Sequence, residues 1–242
     1  MPFTFSHPIA ILPLASLSKK WFSLTGLIIG SMIPDFEYFI RMRISSQYSH
    51  TLAGAFWFNL PLVILVAFIF HNIVKNSLYK NLPQFLQERF IGFTDFNWNK
   101  YFKTNWLVVI ISALIGIFSH LFWDSFTHEN GYFVERFSLL SKEIDIFSYP
   151  IPVFKILQHL SSLIGGILLF IILFRLPESK IQAQKINYSY WLVFLLTILI
   201  IISIRFFTGL DYKLYGQVIV NLISATIIAL IITPLFVKRK DN

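Results

Sequence analysis

Five long apolar runs, at about residues 52–70, 106–123, 160–176, 190–207 and 217–237, constrain this chain more than any other feature. Each is close to the ~20 residues that a helix needs to cross a hydrocarbon layer. Lipid offers no hydrogen-bond partners, so a segment crossing it must satisfy its backbone internally. The expected fold is therefore all-α: a polytopic helical membrane protein with about five transmembrane helices. The chain is 56% hydrophobic and 13% charged, with a mean hydropathy of +0.67, which excludes an ordinary soluble domain. Many of its Tyr and Trp residues stand near the ends of the runs, as an interfacial aromatic belt would.

The stretch before the first run is different. Residues 21–33 are apolar but too short to cross, and they stop at Pro34. This segment reads as a short N-terminal re-entrant or interfacial helix. Ahead of it, Ser6-His7-Pro8 has the form of a helix start. Asp35 and Glu37 follow Pro34, and their spacing alone leaves three roles open: metal ligands, a general base, or solvated turn residues. Residues 72–105 mix Lys and Arg with aromatics and read as a basic surface loop with short amphipathic helices. Residues 129–158 read as a polar loop broken by Tyr149-Pro-Ile-Pro152. Lys238-Arg239-Lys240 reads as a terminal anchor. No repeat or linker divides the chain, so one helical domain is expected. Residues 1–176 would form its core and 177–242 two anchoring spans.

Chemistry concentrates at the end of the second run, which reads His120-Leu-Phe-Trp-Asp124-Ser-Phe-Thr-His128. If that helix continues, the three polar residues are spaced i, i+4 and i+8 and share one face. Two imidazoles and a carboxylate are a donor set that Zn²⁺ accepts. Ionisable groups at the edge of a span are costly and mark functional sites. The chain has no cysteine, so any metal must be held by His and carboxylate. His50 precedes the first run and His159 opens the third. Alternating spans therefore bring both to the same membrane side as His120–His128, and His7 and Asp35 join them if residues 21–33 do not cross. His71 closes the first run at its other end and is excluded. The formal net charge of +8 comes from Lys and Arg scattered through short loops. That pattern fits lipid headgroups and topology, and nucleic acid is not an expected partner. The basic residues favour the inner loops modestly, which puts the His/Asp side outside.

The opening Met1-Pro-Phe-Thr-Phe-Ser-His7-Pro8, together with Pro34-Asp35, Ser49-His50, His120-x-x-x-Asp124 and Gln158-His159, resembles an uncharacterised bacterial family of integral membrane proteins. More distantly, the order of these residues is similar to membrane-bound metal-dependent hydrolases and the zinc-dependent phospholipase C superfamily. The resemblance implies a bacterial inner-membrane enzyme holding one or two Zn²⁺ ions, or another divalent metal. His50, His120 and Asp124 would bind one ion, with Asp124 bridging to a second, and His128, His159 and His7 would help hold the other. Asp35 would be the general base or would position water. The substrate would be a phosphoester of a membrane lipid or lipid-linked molecule. Arg41, Arg43 and Lys155 are candidates to contact a headgroup phosphate, with topology and lipid anchoring the favoured role for each. This chain departs from the phospholipase pattern at Leu163, where that pattern has Glu; Glu129 or Glu37 would have to substitute. Two other readings stay open: a metal-ion transporter or sensor, and a non-catalytic scaffold with a structural His/Asp cluster.

Overall fold

The computed structural model describes residues 3–17, 20–180 and 183–237. Lys19 and the expected anchor at Lys238–Lys240 lie outside the described residues. Seven of the helices matter most here: α1 (Pro8–Ala15), α2 (Leu24–Met32), α3 (Phe36–Arg41), α4 (Leu52–Asn81), α5 (Gln84–Phe90), α6 (Trp98–Asp124) and α7 (Ser138–Ser141). A two-stranded antiparallel hairpin follows, β1 (Glu143–Ile146) and β2 (Tyr149–Pro152), then α8 (Val153–Arg175), α9 (Tyr188–Phe207) and α10 (Tyr215–Phe236). Five of these helices, α4, α6, α8, α9 and α10, are long and apolar enough to cross a membrane. The protein is an all-α polytopic helical protein, as its apolar runs require. At nine residues, α2 is too short to cross.

Several boundaries differ from the expected ones, for local reasons. α4 continues past Phe70 to Asn81, because buried Lys75 donates to the carbonyls of Phe96 (2.7 Å) and Thr94 (3.3 Å). It stops where Leu82 turns extended before Pro83. α6 starts at Trp98, and the Asn97 side chain accepts from the Lys100 amide at 2.9 Å to cap it. The start expected at Trp106 coincides with a kink at Asn105, where the backbone leaves helical geometry. The polar loop expected over 129–158 contains α7 and the hairpin.

The chain forms two compact units. The first comprises Met1–Asp35, Tyr48–Ile64 and Asn105–Arg175. In it α2 crosses α6 through small residues. A Cβ on Gly26 would stand 2.8 Å from the Val109 carbonyl, and one on Gly116 would stand 2.5 Å from the Leu27 carbonyl. Such close backbone approach, with Gly30 against Ala113, is how helices pack where burial from water supplies no driving force. The N-terminal segment packs on α8: Phe3 N–H donates to Ser162 Oγ (2.9 Å) and Ser6 Oγ to the Ser162 carbonyl (2.9 Å).

The second unit comprises Phe36–Gln47, Leu65–Thr104 and Leu176–Asn242, with α9 and α10 packed along each other. Several of its buried polar groups are paired internally. Glu37 accepts from Arg41 Nε (2.8 Å) and the Gln47 amide (3.0 Å). Asn221 donates to the Met42 carbonyl (2.9 Å) and accepts from Arg205 (2.7 Å). His71 belongs to this unit, stacked on Trp98 at 4.8 Å between ring centroids.

Candidate metal centre

Four backbone segments of the first unit deliver the candidate ligands. α6 carries His120 and Asp124 one turn apart on one face, as the i, i+4 spacing requires. Asp35 ends a 3-10 turn, Ile33–Asp35, that continues α2. His50 lies in the turn before α4. Asn59, fully buried in a π-helical turn of α4 (Ala55–Asn59), holds that turn by donating to the Ser49 carbonyl at 2.7 Å. His7 is delivered by the N-terminal segment, with Pro8 opening α1 directly behind it.

These residues converge on the carboxylate of Asp124. His120 Nε2 lies 3.3 Å from Asp124 Oδ2 and 3.6 Å from Asp35 Oδ1. His50 Nε2 lies 3.4 Å from Asp124 Oδ2 and 3.6 Å from Asp35 Oδ1. One donor atom from each of Asp35, His50, His120 and Asp124 thus falls within 4.8 Å of every other, a group able to hold a metal ion. The second oxygen, Asp124 Oδ1, faces the other way, 3.7 Å from His7 Nε2 and 3.6 Å from His128 Nδ1. The His7 ring also stacks on His120, with centroids 3.8 Å apart.

The outer atoms of the ligands are pinned. His120 Nδ1 lies 2.8 Å from the Ser31 carbonyl, which can only accept, so Nδ1 carries the proton and Nε2 is turned to the group. Ser49 Oγ is 3.0 Å from His50 Nδ1, and Thr4 Oγ1 donates to Asp35 Oδ2. The inner atoms contrast with this. Asp35 Oδ1, His120 Nε2 and both Asp124 oxygens are buried without a hydrogen-bond partner. An unsatisfied buried polar atom costs about 1–3 kcal/mol, more when charged, so the three that share one point, Asp35 Oδ1, His120 Nε2 and Asp124 Oδ2, make a group that could hold a cation.

The electrostatics agree. Burial pushes His50 down, but the carboxylates of Asp124 and Asp35 outweigh it and raise the imidazole to about 9. Burial favours the neutral acid of Asp35, yet His120 and His50 hold it below the usual carboxylate range. Burial, reinforced by His120, lowers His7 to about 3, which keeps it neutral with a free lone pair. Burial also lowers His128, against the attraction of Asp124.

The structure sorts the expected residues. His50, His120, Asp124 and Asp35 form the inner group, and His7 and His128 flank it. Asp35 stands among the donors themselves. α6 ends at Asp124, but the turn that follows keeps His128 beside it, with the His128 amide donating to the Asp124 carbonyl at 3.1 Å and Nδ1 3.6 Å from Asp124 Oδ1. His159 is exposed on α8, and no ion pair or hydrogen bond joins it to the group. Its neighbour Gln158 is the buried one. Glu37 is engaged in the second unit and Glu129 is exposed, so neither replaces the Glu missing at Leu163. Nothing in the sequence marks Thr4 or Ser31 as partners of the group; Asn59, a polar residue inside an apolar run, carries a readable signal.

A family model described as Domain of unknown function (DUF4184) matches residues 1–235. The chain belongs to that family. The match includes every ligand of the candidate centre, from His7 to Asp124 and His128. No curated protein and no solved structure matches the chain.

Proposed function

We propose that this protein is a metal-dependent hydrolase that works at the membrane surface, with zinc as its resident ion and a phosphoester of a lipid or lipid-linked molecule as substrate. The observation that carries this reading is the inner group of two His and two Asp donors, 3.3–3.6 Å apart across its His–Asp pairs and buried around one point. Zinc bonds to N and O at about 2.0–2.1 Å, so a tetrahedron around it has edges of about 3.3–3.4 Å. The donor set is all nitrogen and carboxylate oxygen, which suits zinc as well. His7 and His128, beside Asp124 Oδ1, would help hold a second ion.

Zinc bound there supplies Lewis acidity at a phosphoryl oxygen and lowers the pKa of water towards neutrality. The protein's residues do the rest. Ser31 and Thr4 orient His120 and Asp35, and neutral His7 needs no deprotonation to donate. The His120 and Asp35 side chains are closed off, at 0% and 1% exposure, whereas His50 and His128 keep 22% and 30%. That edge is where a substrate can reach the centre. A transport site would lie near the midplane, at broken helices. Here the donors sit at the end of α6 and in the turn before α4, which favours surface chemistry over transport.

The test is metal content by elemental analysis of detergent-purified protein, beside a His120→Ala/Asp124→Ala double variant. Near-stoichiometric zinc in the wild type, lost in the variant, supports the centre. Release of phosphorylated headgroups from lipid substrates by the zinc-loaded protein then supports the hydrolase. Wild type purified without chelators that takes up no metal when zinc is supplied refutes the proposal; bound zinc with no hydrolysis removes the enzyme and leaves the centre.

A further inference from the structure

The hairpin is unlike anything around it. Its register pairs Ile144 with Ile151 and Ile146 with Tyr149, so these four residues share one face; Glu143 and Asp145, opposite Pro152 and Pro150, take the other. The apolar face is not buried. Ile144 and Tyr149 are 45% and 72% exposed, and Phe147 at the tip is 93% exposed. Phe147 and Ser148 both have positive φ, 52° and 67°, a turn in which Asn-Gly is the usual pair. A bulky Phe there is conformationally unfavourable. A lone two-stranded hairpin is also marginal in water unless its apolar face is covered.

We propose that this hairpin is seated on the lipid bilayer, with Phe147, Ile144, Ile146, Tyr149 and Ile151 in the interfacial layer and Glu143 and Asp145 turned to water. Continuity with a span identifies the occupant. Pro152 runs directly into α8, and the Val153 amide donates to the Lys142 carbonyl at 3.0 Å, tying the base of the hairpin to the first turn of that helix. Strands of four residues at about 3.4 Å each keep the tip within about 14 Å of the end of α8, and so beside the membrane surface. The segregation of charge is what such a surface selects: apolar and aromatic groups on one side, acids away from anionic headgroups on the other. Lys142 and Lys155 flank the base, where their ammonium groups reach phosphate level. Trp123, near the end of α6, donates to Ser161 on α8 at 3.4 Å, so the hairpin borders the end of the bundle that carries the metal centre. The seat would hold that end against the lipid.

The chain has no cysteine, so single cysteines report cleanly. The full chain carries a spin label at Phe147→Cys or at Asp145→Cys, in nanodiscs of phosphatidylcholine and phosphatidylglycerol. Collision with oxygen, which concentrates in lipid, is compared with collision with a water-soluble nickel chelate. Relaxation by oxygen should exceed that by nickel several-fold at 147, and the order should reverse at 145. Nickel dominating at both positions would place the hairpin in water and overturn the proposal. Neither collider reaching 147 would mean a protein surface covers it, a second copy included, and would overturn it equally. Both positions are exposed, and thermal unfolding of each variant matching that of the wild type verifies that the substitutions leave the fold intact.

Discussion

Gly116→Ala tests whether the α2–α6 approach sets the geometry of the metal centre. A Cβ at 116 would stand 2.5 Å from the Leu27 carbonyl oxygen and 2.7 Å from the Ser31 amide nitrogen, where ordinary contact begins at 3.4 Å. All of these obstructing atoms are backbone, so relief requires α2 to move off α6 by about 0.9 Å. Ser31 and Asp35 travel with α2, while His120 and Asp124 stay with α6. The bond from His120 Nδ1 to the Ser31 carbonyl, 2.8 Å long, would stretch beyond hydrogen-bonding range, and Asp35 Oδ1 would retreat from the other donors. Metal ligands tolerate about 0.2 Å, and loss of an outer hydrogen bond alone lowers metal affinity about 10–100-fold, or about 1.4–2.7 kcal/mol. Overpacking should also cost about 1–3 kcal/mol of fold stability. Competitive zinc titration of the detergent-solubilised variant measures the first effect and thermal unfolding without metal the second. Gly166→Ala is the control, because nothing lies within 4 Å of a Cβ there. A folded Gly116→Ala protein that binds zinc as tightly as the Gly166→Ala protein would refute the reasoning.

Two further outcomes follow from the same geometry. His50 is held up at about 9 when no metal is present, so at neutral pH an incoming ion must displace its proton. Apparent affinity should rise on the approach to pH 9 and level off above it, and calorimetry in buffers of different ionisation enthalpy should read net proton release. The stability of the metal-free fold should move oppositely: a raised His pKa stabilises fully below its ordinary value, and that contribution is lost as pH rises through about 9. Asn59→Leu should remove the hydrogen bond from Asn59 to the Ser49 carbonyl and loosen the turn carrying His50. A loss of about 0.5–1.5 kcal/mol in thermal stability and weaker zinc binding are expected, and an unchanged zinc titration would show that the turn holds without Asn59.

Most of the architecture was legible because the bilayer sets a length scale that hydropathy reports directly. Runs of about 20 apolar residues have one economical fold in lipid, and the five helices follow. Their ends were less legible, because helix ends depend on particular side chains. Asn97 caps α6 early and Lys75 carries α4 onward through carbonyls that only the folded chain brings near. The hairpin is not legible in the sequence because Tyr149-Pro-Ile-Pro152 reads as a breaker, whereas its register puts both prolines opposite acidic residues on one face.

For the centre, alternating spans placed His50 on the membrane side of His120 and Asp124, and the i, i+4 step put those two on one face, since both follow from periodicity. Which atoms meet depends on the three-dimensional packing. The close crossing of α2 and α6 puts Asp35 among the ligands and gives His120 its carbonyl partner, and the packing of Ser6 on α8 brings His7 onto His120. His159 and Gln158 are adjacent on one helix, and only the direction in which α8 presents its face turns the glutamine inward and the histidine out. Periodicity carries the face of a helix but not its rotation against neighbours, because rotation is set by the contacts of the assembled fold.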